Sequence, residues 1–203
     1  MAKRLLDIMF SFAGIAFVLP LFVPIALSIK LDSKGPVFFK AQRTGRYGKP
    51  FKMYKFRTMV VDAEKLGGSS TAENDPRLTK VGRFLRKYEF DELPQLINVL
   101  MGEMSFVGPR PEVEEYTRLY SEDEKVVFNV TPGMTDYSSI KFINLNKILA
   151  RSDDQAKDIR ENIMPEKSRL RIEYALHNSL WIDFQILVQT LKKVVRDKWS
   201  TKG

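Results

Sequence analysis

The most apolar stretch of the chain lies near its N-terminus, where 22 consecutive residues from Ile8 to Ile29 carry no charge. A helix of this length is sufficient to cross the ~30 Å hydrocarbon core of a bilayer. Pro20 and Pro24 lie inside the stretch, and each removes a backbone hydrogen-bond donor from a helix. The pattern therefore predicts an apolar helix that is broken near Pro20.

The charges that flank this stretch bear on its topology. Lys3 and Arg4 precede it, and Lys30 and Lys34 follow it. Positive residues favour the cytoplasmic side of a membrane, so basic flanks at both ends favour a re-entrant helix that dips in and returns. A straight transmembrane helix and a buried core helix are the alternatives. A cleaved signal peptide is not indicated, because no small-residue cleavage site follows the stretch.

Beyond this segment, the apolar pattern changes to short runs typical of strands. Val37–Phe39 and Phe51–Phe56 are predicted to be strands on either side of a turn at Gly45, Gly48 and Pro50. Residues 131–133, which are Thr, Pro and Gly, predict another turn. The segment 66–76 is predicted to be a loop.

Helical spacing then dominates the chain. Predicted helices cover residues 78–88, residues 95–101 behind Pro94, and a Glu-rich segment from Pro111 to about Tyr120. The segment 144–166 is polar and only weakly periodic. The last thirty residues predict an amphipathic helix whose apolar stripe suits packing in a core or on a membrane surface. The stripe consists of Trp181, Phe184, Leu187, Val188, Leu191 and Val195.

Composition narrows the classes of function. The 203 residues include 33 Lys and Arg against 25 Asp and Glu, a net charge of +8. Nine of the basic residues lie between Lys30 and Arg57, with Asp32 as the single acid, which favours contact with anionic headgroups or a phosphate. The absence of cysteine excludes disulfides, thiol nucleophiles and Cys-based metal sites, and the single histidine, His177, argues against a His-rich metal site. Nucleic acid is not an expected partner, because aromatic residues do not alternate with the cations.

The candidate chemistry is centred on Asp91 and Glu92, which are adjacent and precede Pro94. The N-terminus of a helix stabilises negative charge, so it can hold an ionised carboxylate and attract a phosphate. Acidic residues at a helix start are also ordinary caps, and this structural interpretation stays open.

Five cations in the surrounding sequence support a functional role for this pair. They are Lys55, Arg57, Arg83, Arg86 and Arg110. Carboxylates accompanied by Arg and Lys are typical of phosphoryl-transfer sites, where acids hold Mg²⁺ or attack phosphorus and cations neutralise phosphate oxygens.

Six strings in order along residues 3–136 resemble one family, the bacterial sugar transferases, and more narrowly the monotopic polyprenyl-phosphate phosphoglycosyl transferases. The strings are KRLLDI, GPVFFKAQRTG, KFRTM, DPRLTKVGRFLR, DELPQLINVLMGEMSFVGPRP and TPGMTD. The chain lacks the extra membrane helices of larger relatives, so it resembles the small, catalytic-domain-only type.

The resemblance implies a reaction. Such enzymes transfer a sugar 1-phosphate from a UDP-sugar to polyprenyl (undecaprenyl) phosphate at the cytoplasmic face of the bacterial inner membrane, which starts glycan synthesis. By this resemblance Asp91 attacks the phosphate next to the sugar, UMP leaves, and the polyprenyl phosphate then attacks the aspartyl ester. Glu92 helps Asp91 to hold Mg²⁺, and Lys55, Arg86 and Arg110 lie near the phosphates, with Arg57 and Arg83 as weaker correspondences.

The implied fold is an α/β, mostly α, membrane-associated domain. It has a re-entrant helix over residues 1–30 that breaks at Pro20, and a catalytic domain over residues 31–203 with interfacial amphipathic helices and a few short strands. The sequence departs from the family mainly in residues 136–166, so the sugar is not predicted. The oligomeric state is not fixed, and a homodimer is compatible with the pattern. The alternative function is a non-catalytic, membrane-anchored module that binds a partner.

Overall fold

A computed structural model describes residues 1–66, 75–145 and 154–199 of the chain. This part is mostly helical, with a few short strands. Its helices are α1 (Ala2–Asp32), α2 (Lys80–Lys87), α3 (Gln95–Met101), α4 (Glu114–Thr117), α5 (Tyr137–Lys141), α6 (Gln155–Asp158), α7 (Met164–His177) and α8 (Leu180–Trp199). Its strands are β1 (Phe38–Thr44), β2 (Pro50–Phe56), β3 (Ser105–Val107) and β4 (Gly133–Thr135).

The chain divides into two compact units. The first comprises Met1–Gln42 and Lys52–Met101, and the second comprises Arg43–Phe51 and Gly102–Gly203. The predicted boundary at residue 30 lies inside α1, and α1 belongs to the same unit as α2 and α3.

The first unit is built around α1, the one described helix that is long and apolar enough to cross a membrane. Pro20 and Pro24 both lie inside this helix. Only 11% of its most apolar stretch is buried within the structure, so most of this surface is free to contact lipid. The predicted apolar helix is thus confirmed, and the re-entrant break at Pro20 stays a prediction.

Both ends of α1 are bonded to other elements of the first unit. The Arg4 guanidinium donates to the carbonyls of Val99 and Leu100, at the C-terminal end of α3, over 2.5 and 2.7 Å. At the other end, the Asp32 carboxylate accepts a hydrogen bond of 2.9 Å from the Val81 N–H in the first turn of α2. Each contact satisfies backbone groups that a helix end leaves without an intrahelical partner.

The core of the first unit lies between α1, β2 and α2. Ile29, Phe56 and Leu85 are its fully buried members. Partly buried apolar residues surround them, namely Phe22, Ile25, Val37, Val81, Phe90 and Leu93. Burying these side chains is the main stabilising contribution to this unit, and it fixes β2 and α2 beside the C-terminal half of α1.

The two predicted strands are confirmed, and β1 extends beyond its predicted end. They form a two-stranded sheet joined by a tight turn at Arg46–Gly48, in which Gly48 has a φ of +70°. The helices predicted at 78–88 and 95–101 are also confirmed as α2 and α3. The predicted loop falls largely on residues 67–74, which lie outside the described residues.

In the second unit, β3 and β4 pair in parallel, with Ser105 opposite Gly133 and Val107 opposite Thr135. The sequence did not predict either strand, and the turn expected at 131–133 leads directly into β4. A Cβ atom added to Gly133 would lie 2.1 Å from the Gly108 nitrogen, so only glycine allows the two segments to approach so closely. The Glu-rich helix is shorter than predicted and covers only α4.

The long helices α7 and α8 pack around a second core formed by Val107, Tyr174 and Ile186. The Tyr174 hydroxyl donates to the Asp183 carboxylate over 2.6 Å, which ties α7 to α8. In the weakly periodic segment, residues 146–153 lie outside the described residues, and a π-helical turn, Ile159–Ile163, leads into α7.

The C-terminal helix is confirmed as α8, and of its predicted stripe Leu187 packs against the second core. Four members of the stripe are exposed, namely Trp181, Phe184, Leu191 and Val195. Ile186 is instead the residue of α8 that is fully buried. Core packing is therefore wrong for these four side chains, and contact with a membrane surface stays a prediction.

Candidate active site

Asp91 and Glu92 lie in a short 3₁₀ turn, Phe90–Glu92, directly before α3. Glu89, which precedes the turn, has a left-handed backbone with a φ of 58°, so the chain reverses sharply after α2. Pro94 follows, and its missing N–H costs nothing at the start of a helix. The predicted position of the acidic pair at a helix start is confirmed.

Asp91 is the more buried member of the pair, with a residue exposure of 7%. Burial raises the pKa of this carboxyl, and the neighbouring Glu92 charge also raises it. The positive charges of Lys55 and Arg86 act in the opposite direction. Asp91 is thus a poorly solvated carboxylate close to two cations, an arrangement suited to a nucleophile.

Glu92 is paired directly with Lys55. The Lys55 Nζ donates to Glu92 Oε1 over 2.8 Å, and both side chains are about one-fifth exposed, at 21% and 22%. Lys55 occupies β2 next to Phe56, and successive strand residues point to opposite faces. Because Phe56 points into the core, Lys55 points away from it, toward the 3₁₀ turn that carries Asp91 and Glu92 (the acidic turn).

Arg86 approaches the acidic turn from α2. Thr79 caps the start of this helix by accepting from the Gly82 N–H over 2.9 Å, and Leu85 anchors it in the core. The Arg86 Nε donates to Thr58 Oγ1 over 3.0 Å. Burial lowers the pKa of Arg86, and the charge of Asp91 opposes this more strongly than any other.

Arg57 lies at the end of α1, and its predicted role as a phosphate ligand stays a prediction. Its guanidinium donates to the carbonyls of Lys34, Pro36 and Ser33 over 2.6, 2.7 and 2.8 Å, and to that of Ile29 over 3.4 Å. These bonds engage four of its five N–H donors. The structure therefore supports a structural role for Arg57, as the cation that caps the C-terminus of α1.

The two remaining predicted cations are Arg83 and Arg110. Arg83 is exposed on α2. Arg110 belongs to the second unit, where its guanidinium donates to the Met134 carbonyl over 3.0 Å and its N–H donates to Asp136 over 3.3 Å. Phosphate binding by either residue stays a prediction.

Sequence reasoning missed two residues that support the site. Asn98 in α3 accepts from the Tyr54 N–H over 2.9 Å and donates to the Lys52 carbonyl over 2.8 Å, so it fixes α3 against β2. Thr58 holds Arg86, as described above. The available signal was weak: Asn98 stands out only as a poor helix former among apolar neighbours in a predicted helix interior.

The acidic pair provides oxygen donors that fit Mg²⁺. This ion prefers hard oxygen ligands and is usually held by one or two carboxylates, with water and substrate phosphates completing its shell. The described residues contain no group of three or more His, Cys, Asp or Glu side chains that could hold a metal. The pair therefore suits an ion shared with a phosphate ligand better than a closed protein cage.

The geometry defines a class of site: a buried carboxylate with cations beside it, on a unit that also carries a long exposed apolar helix. The bacterial sugar transferase family model matches residues 1–197. The chain therefore belongs to the bacterial sugar transferase family. This membership makes the chain a transferase and removes the alternative of a non-catalytic module. Together with α1, it also indicates association with a membrane.

Individual relatives agree with this membership. The chain is 39% identical over 196 residues to the UDP-glucose:undecaprenyl-phosphate glucose-1-phosphate transferase of Escherichia coli, covering 94% of this chain and 39% of that protein. It is 33% identical over 202 residues to the UDP-N-acetylgalactosamine-undecaprenyl-phosphate N-acetylgalactosaminephosphotransferase of Aeromonas hydrophila, covering 95% of this chain and 43% of that protein. An uncharacterised sugar transferase of Bacillus subtilis, EpsL, is 38% identical over 178 residues, which is 88% of this chain and 78% of that protein.

Proposed function

We propose that this enzyme transfers a sugar 1-phosphate from a UDP-sugar to polyprenyl (undecaprenyl) phosphate, releases UMP and so initiates a glycan. The names of the Escherichia coli and Aeromonas hydrophila relatives support both substrates. The observation that carries the proposal is the burial of Asp91 beside Arg86 and the Lys55–Glu92 pair. The relatives act on different sugars, so the sugar is left open.

The reaction proceeds in two displacements. An Asp91 carboxylate oxygen attacks the phosphorus next to the sugar, an aspartyl–phosphate bond forms, and the bond to the UMP oxygen breaks. An oxygen of the polyprenyl phosphate then attacks the same phosphorus and releases the Asp91 carboxylate. The poor solvation of Asp91 supports this role, because a carboxylate with few water contacts is a stronger nucleophile.

The surrounding side chains bind and orient the reacting groups. Arg86 neutralises phosphate oxygens as a planar fork, whereas Lys55 holds Glu92 and contributes a point charge. Arg110 is proposed from the family resemblance to bind a donor phosphate. Asp91 and Glu92 would hold Mg²⁺, which supplies additional neutralisation of phosphate charge when bound.

The acceptor is a lipid, so the site must work at a membrane surface. We assign α1 as a re-entrant helix broken at Pro20, with both ends on the cytoplasmic face. This agrees with the bonds that tie Arg4 to the end of α3 and Asp32 to the start of α2, because both ends of α1 attach to one unit. The exposed stripe of α8 suits contact with a membrane surface.

Trapping of the intermediate tests the proposal. The purified protein is incubated with Mg²⁺ and a panel of UDP-sugars, without polyprenyl phosphate. We expect one equivalent of UMP or less per enzyme, and a peptide containing Asp91 whose mass is increased by one sugar phosphate. Addition of polyprenyl phosphate should discharge this adduct and give continuous UMP release.

Two variants serve as controls. Asp91→Asn should form no adduct. Asp183→Asn is the matched control, because Asp183 is equally buried, at 7% exposure, but its carboxylate bonds to Tyr174 in the second unit. This variant should form the adduct normally. UMP release that requires polyprenyl phosphate and leaves no adduct would contradict the covalent step while keeping the overall reaction.

A further inference from the structure

The side chain of Arg86 is held from one side only. Its Nε donates to Thr58 Oγ1 over 3.0 Å, and within the described residues Arg86 forms no other side-chain hydrogen bond and no ion pair. Arg86 as a whole is only partly buried. A guanidinium that is held at Nε, and whose terminal nitrogens bond no acceptor among the described residues, is arranged to receive two oxygens of one ligand.

Thr58, which holds Arg86, is itself rigidly placed. Its residue exposure is 6%, and its carbonyl accepts from the Thr79 N–H over 3.0 Å. A Cβ atom added to Gly82 would lie 1.9 Å from the same carbonyl oxygen, so α2 rests directly on the Thr58 backbone. The branched Thr side chain has few rotamers, which further limits the positions of its hydroxyl.

We propose that Thr58 is a positioning residue for the transfer reaction: its hydroxyl fixes the plane of the Arg86 guanidinium, so that the two terminal nitrogens face a phosphate of the donor. The proposal rests on the function proposed above for Arg86. Thr58 is buried and acts through Arg86. Holding Arg86 in place before binding reduces the rotamer entropy lost when the phosphate arrives.

Binding of UDP tests this role. UDP affinity is measured with Mg²⁺ for the wild type, Thr58→Val, Thr58→Ser and Arg86→Lys. Removal of a hydrogen bond to a charged group should weaken UDP binding by about tenfold in Thr58→Val. Thr58→Ser keeps the hydroxyl and should restore affinity to within about twofold of the wild type.

Thr44→Val is the matched control. Thr44 is buried to a similar degree, at 8% exposure, and its hydroxyl is bonded to Thr117 over 2.8 Å. The same substitution therefore removes one buried hydroxyl interaction without touching a cation. UDP affinity should not change in this variant.

A second readout follows the Arg86 side chain directly. The Nε–H signal of Arg86, assigned by its loss in Arg86→Lys, should exchange slowly with water in the wild type and in Thr58→Ser, and rapidly in Thr58→Val. Rapid exchange in the wild type overturns the proposal, even if Thr58→Val does not fold.

The outcomes separate the two proposals. If Arg86→Lys weakens UDP binding but Thr58→Val does not, the role of Thr58 is overturned and the proposed function stands. If Arg86→Lys binds UDP normally, the phosphate role of Arg86 fails, and the role of Thr58 fails with it. If all the affinities behave as expected but no UDP-sugar releases UMP, only the proposed reaction fails.

Discussion

Asp91 is a buried carboxyl that the proposed chemistry requires in its charged form. Its burial raises the pKa of the group, while Lys55 and Arg86 partly offset that effect. A charge that is poorly solvated makes the folded state less stable, and functional residues commonly carry such a cost. The burial of Asp91 thus lowers the stability of the folded protein while it supports the proposed activity.

Asp91→Asn should raise the thermal stability of the protein and abolish turnover. A carboxyl whose pKa is higher in the folded state stabilises the protein only when protonated, and this contribution is lost as pH rises through the folded pKa. The gain from Asp91→Asn should thus be largest at neutral pH and shrink as pH falls toward the ordinary Asp range. Thermal unfolding at several pH values measures it, and a less stable Asp91→Asn protein at pH 7 contradicts the assigned direction.

Lys55→Met should shift the pH dependence of adduct formation to higher pH. The charge of Lys55 lowers the pKa of Asp91, so its loss leaves the carboxyl protonated over a wider range. The rate of adduct formation with pH gives the midpoint, and Lys52→Met, an exposed cation on the same strand, is the control. An unchanged midpoint in Lys55→Met would show that Lys55 does not act on Asp91.

At the scale of elements, a polar side chain aligns α3 against β2. Asn98 is fully buried and bonds both the Tyr54 N–H and the Lys52 carbonyl. This double contact sets the position of the turn that carries Asp91, because the turn leads directly into α3.

Asn98→Ala should lower the free energy of unfolding by about 2–4 kcal/mol, since it leaves two backbone groups without a partner. Asn162→Ala, at an exposed position, should change it by less than about 0.5 kcal/mol. Denaturant unfolding in detergent compares the two variants. Equal effects would mean that the Asn98 contacts do not stabilise the packing of α3 on β2.

At the scale of the whole molecule, the open question is how the apolar α1 meets the membrane. A re-entrant helix keeps both of its ends in the cytoplasm, whereas a straight helix places Ala2 on the other side. The natural chain has no cysteine, so single cysteines can report on each end without further mutation.

Cysteines introduced at Ala2 and at Lys34, both exposed, should react with a membrane-impermeant maleimide only after the cells are opened. A cysteine fused to a periplasmic marker protein provides the positive control for external labelling. Labelling of the Ala2 position in intact cells would overturn the re-entrant assignment in favour of a straight span.

The sequence by itself determined the elements whose signals are local. The uncharged run to Ile29 predicted α1, Pro94 marked the start of α3, and the adjacent acids marked the candidate site. Helix boundaries and apolar periodicity depend on residues within a turn or two of each other, so a single sequence carries them. The family strings added the proposed chemistry of Asp91 and Glu92.

Only the tertiary structure decided which side chains meet. In the folded chain Lys55 pairs with Glu92, and Arg86 bonds to Thr58. Arg57 bonds to carbonyls at the end of α1, and the short strands β3 and β4 pair with each other. The tertiary structure also buried Ile186 of α8 completely, whereas four members of the predicted apolar stripe are exposed. These contacts join residues far apart in the chain, and their formation depends on burial and shape, which local periodicity does not encode.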